Sequence, residues 1–167
     1  MGTTLLGLRA KDARMQPRQA KSDVNTSKLF NEIGMVTDAL WTDYDQDKDL
    51  DLLLVGEWMP ITIYNNEGGK LSKYDGDEAW KNTSGWWNEI TVADLDGDGD
   101  DDILATGYYY GVLGIRIFTQ SNLGFSTFAS IPAVSNTIDY FDFDKDGVTE
   151  IVAETKVYTI EGNSIKE

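Results

Sequence analysis

Carboxylates recur at one spacing in three nine-residue segments: Asp43, Asp45, Asp47, Asp49 and Asp51; Asp94, Asp96, Asp98, Asp100 and Asp102; and Asp142, Asp144, Asp146 and Glu150. The segments start at residues 43, 94 and 142, so the starts lie 51 and 48 residues apart. Acids this crowded repel one another unless a hard cation sits among them and turns the repulsion into oxygen coordination. Calcium suits the donor set, because it takes ~6–8 oxygen ligands in flexible geometry, whereas magnesium demands a strict octahedron and keeps its water. Side chains at loop positions one, three and five are expected to ligate, with position seven giving its backbone carbonyl, so that Asp49, Asp100 and Val148 are equivalent there. Position nine closes the shell from the next element through Asp51, Asp102 or Glu150. The pattern predicts three calcium ions. Gly99 and Gly147 supply the sharp turn at position six. Lys48 stands there in the first loop and predicts a strained or weaker site, and the longer Glu150 makes the third site the least regular.

Each loop is followed by an apolar pair, Leu52-Leu53, Ile103-Leu104 and Ile151-Val152, which separates it from a solvated acidic turn. The formal net charge is −15, and the loops hold most of the acidity: five acids in the first, six in the second and four in the third, out of 29 in the chain. Three calcium ions would bring the formal charge to −9, which argues against nucleic acid or an anionic membrane as partner. The chain has no cysteine and no histidine, so disulfides, thiol and imidazole catalysis, a Ser-His-Asp set and ordinary zinc sites are excluded. Loops of this kind work mostly where calcium is abundant, so the expected location is extracellular or at the cell surface. No run approaches the ~18 apolar residues of a membrane span, and the run at Leu5–Leu8 is too short for an export signal.

At 167 residues the chain has the length of one domain. Residues 1–24, with scattered basic residues and little periodicity, read as a loosely ordered lead-in with room for a short helix. From about residue 34 the pattern is of short strands and turns. The first unit reads as Val36–Tyr44, Leu50–Val55, Pro60–Tyr64 and Lys70–Tyr74. The second reads as Glu89–Leu95, Ile103–Tyr108, Val112–Thr119 and Gly124–Ala129. The third reads as Thr137–Phe143, Ile151–Thr155 and Lys156–Ile160, with its outermost strand missing. Four short strands in ~40–50 residues are the signature of a β-propeller blade. The expected fold is therefore all-β, with about three blades of four-stranded antiparallel sheet at about 34–78, 85–130 and 134–167, as a partial or open propeller.

The segment Asp94-Leu-Asp-Gly-Asp-Gly-Asp-Asp-Asp-Ile-Leu104 resembles the calcium motif of FG-GAP and VCBS repeats, which occur in integrin α-subunit propellers and in secreted or surface bacterial proteins. Gly34–Asp45, Gly56-Glu-Trp-Met-Pro60 and Gly85-Trp-Trp-Asn88 resemble bacterial VCBS-repeat proteins whose propeller is often paired with an ASPIC/UnbV domain. The resemblance covers about residues 25–162. It implies metal positions at Asp43, Asp45, Asp47 and Asp51, at Asp94, Asp96, Asp98 and Asp102, and at Asp142, Asp144, Asp146 and Glu150. It implies a calcium-binding, non-catalytic scaffold for adhesion or for binding protein or glycan, with a carbohydrate-active propeller as the alternative. Such propellers usually close a ring of about seven blades. Three blades cannot, so the remaining blades are expected in cis, or the chain is expected to self-associate.

Trp58, Trp86, Trp87 and the run Tyr108, Tyr109, Tyr110 flank the inner strands, where aromatic rings could contact a ligand or pack between blades. Glu57 and Glu89 are acids outside the metal register, and no catalytic residue is assigned. Asn25-Thr-Ser and Asn82-Thr-Ser match glycosylation sequons.

Overall fold

A computed structural model of the chain describes residues 9–10, 28–75, 82–121, 124–132, 138–161 and 164–167. Apart from a helical turn at Lys28 and Leu29, the elements among these are strands: β1 (Arg9–Ala10), β2 (Met35–Thr42), β3 (Asp51–Met59), β4 (Thr62–Glu67), β5 (Lys70–Lys73), β6 (Gly85–Ala93), β7 (Asp102–Tyr109), β8 (Val112–Ser121), β9 (Gly124–Pro132), β10 (Ile138–Phe141), β11 (Glu150–Ala153), β12 (Lys156–Glu161) and β13 (Ser164–Lys166). Pairing between successive strands is antiparallel and yields three four-stranded meanders, β2–β5, β6–β9 and β10–β13. The first two join in one sheet because the far end of β3 pairs with the start of β6, Glu57 opposite Trp86 and Met59 opposite Gly85. β1 adds a short parallel pairing, Arg9 opposite Leu40 and Ala10 opposite Trp41. The strand path is open, so the molecule is all-β with propeller-like blades that do not close on themselves.

Strand β3 shows why sheets stack here. Its residues 51–56 are all buried, and successive side chains point to opposite faces. Leu53 and Val55 join Leu40, Ile61 and Ile63 in a core shared with Trp87, Ile90, Val92, Ile103, Ala105 and Phe118 of the second meander. Leu52 and Leu54 join Ala39, Met59 and Tyr64 on the other face, which is covered by Leu29, Phe30 and Ile33. Strand β7 repeats the device. Ile103 and Ala105 face the first meander, while Leu104 enters a core with Ala93, Leu95, Ile115, Ile117 and Ile131 that is shared with Ile151, Ala153 and Ile160 of the third.

The backbone at the far strand ends is as specific as the cores. β2 and β6 both bulge against their partners, between Val36 and Asp38 and between Trp87 and Glu89. Opposite these bulges stand Gly56 and Gly107, where an added Cβ would lie 2.0 Å from the Met35 carbonyl oxygen and 2.1 Å from that of Trp86. Only glycine leaves room for the backbones to approach so closely.

Two sequence expectations change. The third unit does have an outer strand, β13, which pairs with β12 through Thr159–Lys166, Ile160–Ile165 and Glu161–Ser164. Its single strong apolar residue, Ile165, gives too short an alternation to read as a strand in isolation. β6 begins at Gly85 rather than Glu89, because Gly85–Trp87 pair with β3 on one side and β7 on the other. Apart from Arg9 and Ala10, the lead-in and the Asn25 sequon lie outside the described residues. No helix among the described residues is long and apolar enough to cross a membrane.

Candidate functional site

Each acidic loop joins the first strand of a meander to its second: residues 43–50 between β2 and β3, 94–101 between β6 and β7, and 142–149 between β10 and β11. The same backbone-to-carboxylate bonds recur in all three. Position one accepts from the N–H of position six: Asp43 from Lys48 (3.0 Å), Asp94 from Gly99 (3.1 Å) and Asp142 from Gly147 (3.2 Å). Position three accepts from position five, at 3.3 Å for Asp45, 3.2 Å for Asp96 and 3.1 Å for Asp144. Position five accepts from position seven, at 2.8 Å for Asp47, 2.9 Å for Asp98 and 2.8 Å for Asp146. These short-range bonds wrap the backbone around its own carboxylates.

The wrap needs left-handed backbone at two positions. φ is positive at position six in Lys48 (77°), Gly99 (93°) and Gly147 (95°), and also at position four in Gln46 (62°), Gly97 (78°) and Lys145 (65°). The strain foreseen at Lys48 is thus present, and the sequence reading missed the demand at position four. Gly97 was its only sign there.

Carboxylate oxygens converge within 4.8 Å in three groups: Asp43, Asp45 and Asp51; Asp94, Asp96 and Asp102; and Asp142, Asp144 and Asp146. The first two combine positions one, three and nine, and the third combines one, three and five. The carboxylates of Asp47, Asp49, Asp98, Asp100 and Glu150 stay outside these groups. The side chain of Asp49 accepts from the Gly68 N–H (2.6 Å), and Asp100 accepts from the Gln46 amide of the first loop.

Position nine does more than face the loop. Asp51 is fully buried and accepts from the N–H groups of Tyr44 (3.2 Å) and Asn66 (2.8 Å). Asp102, equally buried, accepts from Leu95 (3.0 Å) and Gln120 (2.9 Å). Glu150 accepts from Phe143 (3.1 Å). This carboxylate therefore clamps loop position two, and in the first two meanders it also holds the third strand. Burial pushes both Asp51 and Asp102 up to about 7, against which their backbone bonds act, and neighbouring loop acids add to the rise. Burial also raises Asp43, Asp45 and Asp96.

The donor set fits a hard divalent cation. It is all oxygen, burial makes the charged forms of Asp43, Asp45, Asp51, Asp96 and Asp102 costly, and Asp43 Oδ1 and Asp142 Oδ1 are buried without a hydrogen-bond partner. Asp43, Asp45 and Asp51 would hold an ion in the first loop, Asp94, Asp96 and Asp102 in the second, and Asp142, Asp144 and Asp146 in the third. A bound ion supplies the positive charge that these acids lack.

Neighbouring loops also touch. Thr42 Oγ1 donates to Asp101 (2.9 Å), the Gln120 amide donates to the Tyr44 carbonyl (2.5 Å), and the Thr149 N–H donates to the Asp94 carbonyl (3.2 Å). None of these links carries a sequence signal.

The aromatic candidates lie at the opposite strand ends from the loops. Trp87 is corrected as a ligand contact: its ring is fully buried, stacks on Tyr109 at 5.7 Å and donates to the Thr83 carbonyl. Tyr109 is half-buried between Trp87 and the Arg116 guanidinium, 4.4 Å from its ring, and its hydroxyl donates to the Asn82 carbonyl. Trp58, Trp86, Tyr108 and Tyr110 are exposed, with Trp58 and Trp86 5.6 Å apart. Trp58 is 78 % exposed on a backbone of φ 60°. Glu57 sits at this same end of β3, and Glu89 lies in the middle of β6.

No characterised protein matches the chain by sequence comparison. A family model does: that of the FG-GAP-like repeat, over residues 43–105. The match begins on the first residue of the first loop, takes in the whole second loop and ends in β7. Through that stretch, the chain is similar to the FG-GAP-like repeat.

Proposed function

We propose that the chain is a calcium-binding β-propeller-type repeat module that acts outside the cell or on its surface as a non-catalytic scaffold for a protein or glycan partner. One observation carries the calcium reading: three loops, far apart in sequence, wrap in the same hydrogen-bond register around convergent carboxylates. The similarity of residues 43–105 to the FG-GAP-like repeat supports the scaffold reading. Calcium here is first a folding device, because without it three acid clusters at the blade hairpins repel. Three ions are expected, in a setting where calcium is plentiful.

The test is calorimetric titration of the chelator-stripped chain with calcium, with thermal melts before and after. Three sites and a large rise in melting temperature are expected. An unchanged fold that takes up no calcium would overturn the reading.

A partner surface is favoured at the strand ends away from the loops, where Trp58 and Trp86 expose neighbouring rings. Replacing both by Ala is expected to abolish glycan or protein capture while leaving the calcium-dependent melt unchanged.

A further inference from the structure

At the strand ends away from the acidic loops, register lines up four residues on one sheet face: Met35 of β2 opposite Glu57 of β3, Glu57 opposite Trp86 of β6, and Trp86 opposite Tyr108 of β7. Met35, Trp86 and Tyr108 are all exposed. Trp58 is the extra residue that β3 carries between its pairs with Trp86 and Gly85, and its ring stands 5.6 Å from that of Trp86 at a tilt of 42°. Tyr110 is exposed at the turn from β7 to β8.

Trp58 and Tyr110 occupy left-handed backbone, φ 60° and 50°, where a side chain carries a conformational cost that glycine avoids. The β4–β5 turn gives its two left-handed positions to Gly68 and Gly69. At 78 % and 84 % exposure the two rings recover little of that cost through burial, so core packing does not account for them. Charge at this end is one-sided. The segments 33–37, 56–61, 82–88 and 106–114 hold one charged residue, Glu57, and no lysine or arginine. One ring of the cluster already carries a cation on its face, the Arg116 guanidinium 4.4 Å over Tyr109.

We propose that this end binds a basic segment of a partner protein, whose lysine or arginine side chains lie on the rings of Trp58 and Trp86 and pair with Glu57. The proposal rests on the reading of Trp58 and Trp86 as a partner surface and narrows that partner to a cationic one. Ring faces are electrostatically negative, so they and Glu57 favour the same sign of ligand. Three calcium ions would bring the formal charge of −15 only to −9, so the whole chain also draws a cationic partner from a distance. A sugar fits the row less well. It stacks on a flat platform and takes hydrogen bonds from several polar groups around it, whereas Trp58 and Trp86 are tilted and the row offers a single carboxylate.

Calorimetric titration of the whole chain in saturating calcium with three probes tests this: a hexa-arginine peptide, a hexa-glutamate peptide and a neutral hexasaccharide. Only the arginine peptide is expected to bind. Trp58→Ala and Glu57→Gln should each weaken it on the order of tenfold. Trp58→Gly suits the left-handed backbone, so it keeps the fold and should weaken binding equally. Glu67→Gln, at an exposed acid of β4 outside this end, should leave binding unchanged. Arginine-peptide binding that Glu67→Gln weakens as much as Glu57→Gln would overturn the proposal, since the peptide would then be answering net charge alone. Hexasaccharide binding that Trp58→Ala abolishes, without peptide binding, would overturn the cationic partner and leave the partner surface standing. Absence of peptide binding overturns it too, and the partner surface then depends on the capture experiment with Trp58 and Trp86 both replaced by Ala.

Discussion

The Thr42 hydroxyl, at the last residue of β2, donates to the Asp101 carboxylate 2.9 Å away, 59 residues along the chain and in the neighbouring acidic loop. Gln46 of the first loop reaches Asp100 beside it. The first two acidic loops are thus not independent bodies. Thr42→Val is expected to cost about 1.5–3 kcal/mol, the range for a hydrogen bond to a charged group. It should also reduce the cooperativity of calcium uptake by the first two loops, leaving the third unaffected. Calorimetric titration of the variant beside the parent chain checks both effects.

Lys48 occupies a left-handed position that the other loops give to glycine. Lys48→Gly should relieve that strain, raising stability by about 1 kcal/mol and tightening the first site. Gly99→Ala reverses the sign at a site where an added Cβ meets nothing within 4 Å, so its loss is conformational alone. Chemical denaturation in calcium of the two variants measures the pair.

Gly107→Ala is a different kind of change, since the new Cβ would sit 2.1 Å from the Trp86 carbonyl oxygen and the strands must separate. A loss of more than about 3 kcal/mol is expected, with or without calcium. A shift in denaturation midpoint of the size seen for Gly99→Ala would mean that the β6–β7 bulge can relax.

Asp51 and Asp102 carry folded-state values near 7, above the ordinary 3.8, because burial opposes their charge. For an acid raised on folding, the stability contribution is complete below the unfolded value and disappears as pH rises through the folded one. The calcium-free chain should therefore melt higher at pH 5 than at pH 8. Calcium must displace those protons, so its affinity should climb between pH 5 and 8, with proton release in the titration. Melting curves across that range, with calcium and with chelator, separate the two trends.

Position one and position nine should respond differently to loss of charge. Asp43→Asn is expected to leave the calcium-free fold at least as stable, since it removes repulsion, and to cost the first ion. Asp51→Asn replaces an acceptor of two backbone N–H groups by an amide whose nitrogen only donates, leaving one donor unsatisfied. It should cost about 1–3 kcal/mol even in chelator. Equal effects of the two in chelator would show that Asp51 does not clamp the fold.

Much of the molecule follows from local sequence. The Asp periods, with Gly99 and Gly147, specify the loop wrap because its hydrogen bonds span only a few residues. The run from Leu52 to Val55 specifies a strand buried on both faces, because a period of two puts alternate side chains on opposite sides. Other features depend on residues that meet only after folding. Trp86 and Trp87 are neighbours of the same type, and the strand pleat alone sends one to solvent and one to the core. Tyr44, Leu95 and Phe143 hold one place in the repeat, yet whether that place is buried is decided by which sheet stacks against it. Asp51, Asp102 and Glu150 read as ion ligands in sequence. Their second role, gathering backbone donors from loop and strand, arises because burial leaves those donors no water to bond.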